Sequence, residues 1–221
     1  LKHSNGKPSE MPLLFSNQIN SSIRIAVWKI TEGEKELLKM LPSLEKTEKD
    51  FLNKISFIPR KLEWLASRVL IYQLTGLYPA TRYNNNGQPF LNNGRENLSI
   101  SHTKGYAAIS LSIQYVPGID LEYPSPRIEK VSERFLNTKE KMFITKQEKE
   151  NQLAIIWCTK EAIYKRAGIP DLSFKDQIIV DPFLPNSSKG KFSATLITNG
   201  IEKKIEMEYI IDKSFYLAYT R

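Results

Sequence analysis

"SRVLIYQLTG" (67–76) and "TKEAIYKRAG" (159–168) are the stretches that decide the fold. Laid one over the other they end together on glycine, with Ile71 on Ile163 and Tyr72 on Tyr164. Each closes a longer amphipathic pattern. "PRKLEWLASRVLIYQLTG" (59–76) has proline at its first turn and apolar residues three and four apart, and "ENQLAIIWCTKEAIYKRAG" (150–168) has the same period and the same glycine stop, so both predict helices. The flanking order also repeats. "IRIAVWKI" (23–30) reads as a strand, and "TEGEKELLKML" from Thr31 as a helix opened by a capping box of Thr31 with Glu34. Beyond Gly76, turn residues separate short strands near Phe90, at 97–101 and at 106–112; in the second half "RIEKVSERFLNTKEKMFI" (127–144) reads as one or two helices. "QIIVDPF", "KFSATLI", "KIEMEYIID" and "FYLAYT" then read as strands of a closing antiparallel sheet.

This pattern is an internal duplication, with two amphipathic helices of chance likeness as the alternative reading. It predicts an α+β pseudo-dimer: an N-terminal half over 23–115 and a C-terminal half over 116–221, each an antiparallel sheet packed on helices. Residues 1–22 are an N-terminal extension, partly tag-like or disordered, and 1–10 are set aside because "LKHSNGKPSE" is polar and lacks the apolar core of a secretion signal. Ligands favour crevices where two units meet, so the site is expected between the halves.

The 221 residues suffice for one large core or two compact ones, and no apolar run approaches the roughly 18 residues that span a bilayer. A soluble, cytoplasmic protein is expected, since the single cysteine, Cys158, forms no internal disulfide. With two histidines and one cysteine, a tetrahedral zinc site is disfavoured, and any metal should be a hard ion held by carboxylates. The net charge of +8 attracts polyanions: a phosphorylated cofactor, an acidic protein or nucleic acid.

Chemistry concentrates in three segments. In "GIDLEYPSP" (118–126), Asp120 and Glu122 are two apart on a strand, so both carboxylates face one side while Ile119 and Leu121 face the other. A polar strand edge in solvent is the commoner meaning of such a pair. Gly118 permits close backbone approach, and Pro124 and Pro126 end the strand just beyond it. In "WCTKEAIYK" (157–165), Glu161 and Lys165 share a helix face whose flanks are mostly apolar. If Glu161 joins Asp120 and Glu122, the three oxygens suit magnesium. In "NLSISHTKG" (97–105), Ser99, Ser101 and His102 sit near a strand end, able to hold phosphate oxygens.

With these segments in order, the sequence resembles the Sfp-type 4′-phosphopantetheinyl transferases, in "NGQPFL" (86–91), "NLSISH" (97–102), "GIDLE" (118–122) and "WCTKEAIYK" (157–165). The resemblance covers roughly 23–221 at the level of layout. It implies a pseudo-dimeric fold and magnesium-dependent transfer of the phosphopantetheine arm of coenzyme A to a serine of an acyl or peptidyl carrier protein, with release of 3′,5′-ADP. The carriers serve fatty acid, polyketide or nonribosomal peptide synthesis. It implies Asp120, Glu122 and Glu161 as metal ligands, Glu161 also as the base, Lys165 on the pyrophosphate, and Ser101 with His102 on phosphate. Arg60, Lys61 and Arg68 fall where the family holds the 3′-phosphate, and Gln88 and Pro89 belong to the coenzyme-binding motif. Two departures stand out. Gln88 replaces the family's usual lysine, whose contact could come from Arg82 or Lys104, while the intact "GKP" at 6–8 lies outside any such context. "NLSISH" also leaves open which serine does the work. The expected partners are coenzyme A and an acidic carrier, without nucleic acid or membrane, and a monomer is expected. A magnesium-dependent nucleotide pyrophosphohydrolase and a non-enzymatic basic binding module are the alternatives.

Overall fold

The computed structural model describes residues 13–78, 80–92 and 94–221; the "GKP" at 6–8 and the set-aside residues 1–10 lie outside these. The chain is mixed α+β. Its elements run β1 (Leu13–Gln18), β2 (Ile23–Lys29), α1 (Glu34–Lys39), α2 (Lys46–Lys54), α3 (Ile58–Thr75), β3 (Thr81–Tyr83), β4 (Pro89–Leu91), β5 (Asn97–Thr103) and β6 (Tyr106–Ser112). Next come β7 (Ile119–Glu122), α4 (Pro126–Phe135), α5 (Thr138–Phe143), α6 (Lys149–Ala167), β8 (Ile178–Val180), β9 (Lys189–Thr198), β10 (Ile201–Ile211) and β11 (Tyr216–Thr220).

Among the described residues, these strands make two antiparallel sheets, ordered β1-β2-β6-β5-β4-β3 and β7-β11-β10-β9-β8. Leaving β1 aside, the two are laid down in the same way: one strand, three helices, then four strands of which the last returns to pair with the first. The aligned decamers form the last turns of α3 and α6. Both helices end on a left-handed glycine, Gly76 at φ +67° and Gly168 at φ +61°, whose N–H bonds back to Tyr72 O and Tyr164 O respectively. A positive φ costs glycine nothing, so it ends both helices in the same way.

Three elements differ from the sequence reading. Residues 13–18, placed there in an extension, form β1 and cover the edge of β2 that would otherwise leave ladder groups open. Helix α1 starts at Glu34 rather than at Thr31. Glu36 Oε2 accepts the Gly33 N–H at 2.8 Å, whereas Glu32 accepts from the Thr31 N–H and from Trp28 Nε1, holding Thr31 outside the helix. Helix α2 carried too few apolar residues to signal itself; Glu48 and Leu52 are its buried members. Among the described residues, no helix is long and apolar enough to cross a membrane.

Strand alternation divides the interior into three cores. Ala26 and Trp28 of β2 face α3 with Leu65, Val69 and Leu70. Tyr216 and Ala218 of β11 face α6 with Ile155, Ile156 and Ile163. The opposite faces meet each other: Ile23, Ile25 and Val27 pack with Ile119, Leu121, Leu217 and Tyr219. Burial of each such side chain contributes roughly 1.5–3 kcal/mol. Seven of them sum to a gross term comparable with the whole net stability of a domain, about 5–15 kcal/mol, so each sheet leans on the other.

Gly118 opens β7 against α6 with almost no clearance. A Cβ there would sit 2.1 Å from the Ala162 carbonyl oxygen. The two backbones therefore meet where Glu161 leaves the helix and Asp120 leaves the strand. Gly118→Ala is expected to destabilise the fold by about 3 kcal/mol through forced separation of β7 from α6, measured as a shift in the urea midpoint.

Candidate active site

Two serines of β5 hold β7 in place. Strand β7 lies at the edge of its sheet, and its amides at Ile119 and Leu121 donate across to Ser99 Oγ at 3.2 Å and Ser101 Oγ at 3.1 Å. Ser101 Oγ in turn donates to Asp120 Oδ1 at 2.9 Å. Both serine hydroxyls are thus engaged with the second half of the chain, and Ser101 is 5% exposed. His102, the next residue, points to the other face of β5, where its Nδ1 lies 2.9 Å from Arg60 Nη1 and 3.0 Å from Glu63 Oε2 of α3. The "SH" pair is therefore split between two faces by the period of the strand.

Asp120 is 4% exposed, and its Oδ1 also accepts Lys165 Nζ at 2.6 Å. The same ammonium reaches the Ile119 carbonyl at 3.2 Å. Glu122, the second carboxylate on this face, accepts the Trp157 indole N–H at 3.1 Å. Glu161 stands over the pair from α6. Burial, with the Asp120 charge second and the opposing pull of Lys165 third, pushes its carboxyl up from 4.5 to about 7. Burial and then Asp120 raise Glu122 as well. Cys158, buried in the same helix, is raised well above the ordinary thiol value, first by burial.

The neighbouring Lys160 has a different task. It is fully buried and bonds Glu140 Oε1 at 2.8 Å and the carbonyls of Phe174 at 2.7 Å and Ile178 at 2.6 Å, tying α6 to α5 and β8.

The donor set suits a hard cation. It is made of oxygens alone, and Asp120 Oδ2 is buried with no hydrogen-bond partner. Glu122 and Glu161 resist ionisation in part because Asp120 is charged beside them, a repulsion that a cation reverses. Among the described residues, no three His, Cys, Asp or Glu side chains already enclose a metal position. Lys165 sits on Asp120 Oδ1 instead.

Two cavities open beside this cluster. One, of about 180 Å³, is lined by Arg60, Trp64, Arg68, Pro89, His102 and Lys165, so residues of the first sheet and its helix face a lysine of α6 across it. Arg68 is 2% exposed, lies over the Trp64 ring at 4.1 Å, and has no hydrogen-bond partner at Nε. The other cavity, of about 400 Å³, lies beside Glu122 and Trp157 and is walled by Ile128, Val131, Phe135 and Phe174. The sequence reading had no account of this one, because its walls come from α4, α6 and a loop and share no local period.

Other residues singled out from sequence lie elsewhere. Lys61 turns away from the 180 Å³ cavity to pair with Glu34 of α1 at 3.3 Å. Gln88 does not line it either; its amide bonds the end of α6. Arg82 reaches Glu45 at 2.6 Å and Thr47 at 2.8 Å near the start of α2, and Lys104 lies 3.5 Å over the Tyr123 ring. Neither lines the 180 Å³ cavity.

The raised Glu161 fixes the sign of a pH effect. Between about pH 4.5 and 7 the unfolded chain releases this proton while the folded chain keeps it, so the folded state binds more protons and loses stability as pH rises. In metal-free buffer, urea unfolding at about pH 5 and pH 7.5 is expected to show a stability fall that Glu161→Gln reduces by about 2 kcal/mol. Equal falls in the two proteins would contradict the assignment.

No curated protein matches the chain. Residues 117–220, which hold Asp120, Glu122, Glu161 and Lys165, match the family model described as the 4′-phosphopantetheinyl transferase superfamily, and this supports a transferase.

Proposed function

We propose that the protein is an Sfp-type enzyme that transfers the 4′-phosphopantetheine group from coenzyme A to a serine of a carrier protein and releases 3′,5′-ADP. The observation that carries this reading is the Lys165–Asp120 pair. It joins a carboxylate cluster, inside the stretch that matches the superfamily model, to a cationic cavity between the first sheet with its helix α3 and Lys165 of α6. The matching strand order of the two sheets and their glycine-ended helices support a pseudo-dimeric origin, with halves near 23–115 and 116–221.

In this reading Arg60, Arg68 and His102 hold the nucleotide phosphates in the 180 Å³ cavity, and Lys165 donates to the pyrophosphate. Asp120, Glu122 and Glu161 would hold magnesium, which supplies neutralisation of charge on the pyrophosphate. The carrier serine oxygen attacks the phosphorus that bears the pantetheine arm. A new P–O bond forms, the pyrophosphate P–O bond breaks, and 3′,5′-ADP departs with the electron pair. Glu161, beside Asp120 and Lys165, takes the serine proton as general base. Ser101 acts one step back, by fixing Asp120 and β7. The 400 Å³ cleft beside Glu122 leaves room for the arm, and Arg127 and Arg134 on it suit an acidic carrier.

Incubation with coenzyme A, magnesium and an apo carrier is expected to add the mass of one phosphopantetheinyl group to the carrier, read by intact-protein mass spectrometry. Glu161→Ala and Lys165→Ala should each lower that rate by at least about a hundredfold. No transfer to any of several fatty acid, polyketide and peptide carriers would overturn the reading. 3′,5′-ADP released without a carrier would favour a pyrophosphohydrolase.

Magnesium should also stabilise the protein without substrate. Because protons and a cation compete for the three carboxylates, the rise in Tm with magnesium should be larger at about pH 7.5 than at about pH 5.5. Asp120→Asn should remove it.

A further inference from the structure

Gln88 stands where the family resemblance leads one to expect a lysine, and its amide is fully occupied. Its Nε2 donates to the carbonyl of Lys165 at 2.8 Å and of Arg166 at 3.4 Å. Asn86 Nδ2 donates to the carbonyl of Gly168 at 2.9 Å. These acceptors belong to the end of α6, where the last carbonyls of a helix have no partner within it. The turn between β3 and β4 therefore caps a helix of the other half of the chain.

The turn is itself braced. Asn84 Oδ1 accepts the backbone N–H of Asn86 at 3.0 Å and of Gln88 at 2.9 Å, and Asn84 Nδ2 donates to Gln88 Oε1 at 3.1 Å. Gly87 takes the positive φ of +77° that the turn requires. The fit against α6 is close: a Cβ on Gly168 would lie 2.2 Å from Gln88 Oε1. Lys165, whose carbonyl accepts the shorter bond, is also the residue whose ammonium meets Asp120 at 2.6 Å. Gly87 of the same turn and Pro89, which opens β4, line the cationic cavity together with Lys165.

We infer that Gln88 is a positioning residue: the 84–88 turn clamps the C-terminal end of α6 and so sets Lys165 against Asp120 at the edge of the cavity. Gln88 is then no lost coenzyme contact. Its donor serves helix carbonyls, a place where a lysine ammonium would also be favourable, since the C-terminal end of a helix attracts positive charge. The kinetic part of the test rests on the transferase reading; the exchange part does not.

Wild type, Gln88→Ala and Gln88→Lys are compared in two measurements. The first is hydrogen–deuterium exchange of the full-length protein without ligands. Gln88→Ala should speed exchange in the peptide covering the end of α6 by about tenfold, with no comparable change in β9 and β10, and Gln88→Lys should restore most of the protection. The second is steady-state transfer to an apo carrier. Gln88→Ala should lower kcat by about tenfold and leave KM for coenzyme A within about twofold, because the amide touches the lysine's backbone and not the cavity; Gln88→Lys should recover kcat.

Unchanged exchange in Gln88→Ala would overturn the clamp. Faster exchange with kcat unaltered, or a rise in KM alone, would overturn the positioning role. If Gln88→Ala fails to fold, Asn86→Ala, which removes a single bond of the clamp, takes its place with the same expectations. An exchange response in a protein that modifies no carrier would support the clamp and count against the transferase reading.

Discussion

A strand at the edge of a sheet has amides that no ladder satisfies, and here the edge strand β7 gives two of them to serine side chains of the other sheet. That exchange governs the geometry of the whole site. It locks the rotation of β7, so Ile119 and Leu121 enter the core between the sheets while Asp120 and Glu122 turn towards α6. A slip by one residue would drive both carboxylates into that core. Ser101 secures the arrangement further, accepting from the strand's backbone and donating to Asp120 with the same hydroxyl.

Once β7 is fixed, the closeness of α6 becomes an electrostatic matter. Gly118 lets the helix backbone come near enough for Glu161 to feel both strand carboxylates. Three acids in a partly dry space are unfavourable without positive charge, and Lys165 pairs directly with Asp120 alone while its pull on Glu122 and Glu161 is outweighed by burial. The cluster is thus held in a condition that protons or a cation can relieve. Such tension is a property of binding sites more than of structural ion pairs. The contrast lies one residue away in Lys160, whose ammonium is held by Glu140 and two carbonyls.

Much of the fold could be read from local pattern. The helix with Pro59 in its first turn and the one capped by Gly168 follow from apolar spacing and chain terminators, because each signal lies within one element. The start of α1 was misplaced, since Thr31 and Glu34 mimic a cap while Glu32 turns back to the Trp28 side chain and the Thr31 amide. β1 and α2 were missed because their partners, not their own periodicity, make them regular. The same division runs through the site. Asp120, Glu122, Glu161 and Lys165 were legible as residues of the right kind at the right spacing. Lys61 and Arg82 carry the right charge, but acidic neighbours on α1 and near the start of α2 take them away from the cavity.

By itself, then, the sequence determined the repeated helix pattern, the alternation that puts Asp120 and Glu122 on one face, and the helical spacing that aligns Glu161 with Lys165. These depend on residues within a few positions of each other, whose geometry is set by strand and helix periods. Only the tertiary structure decided that Ser101 and His102 serve opposite faces and that an apolar cleft flanks Glu122. It alone gave the Gln88 amide to the end of α6. Gln88 and Lys165 are separated by most of a domain's length of chain, and hydrogen bonds across such a distance arise from packing, which no local period encodes.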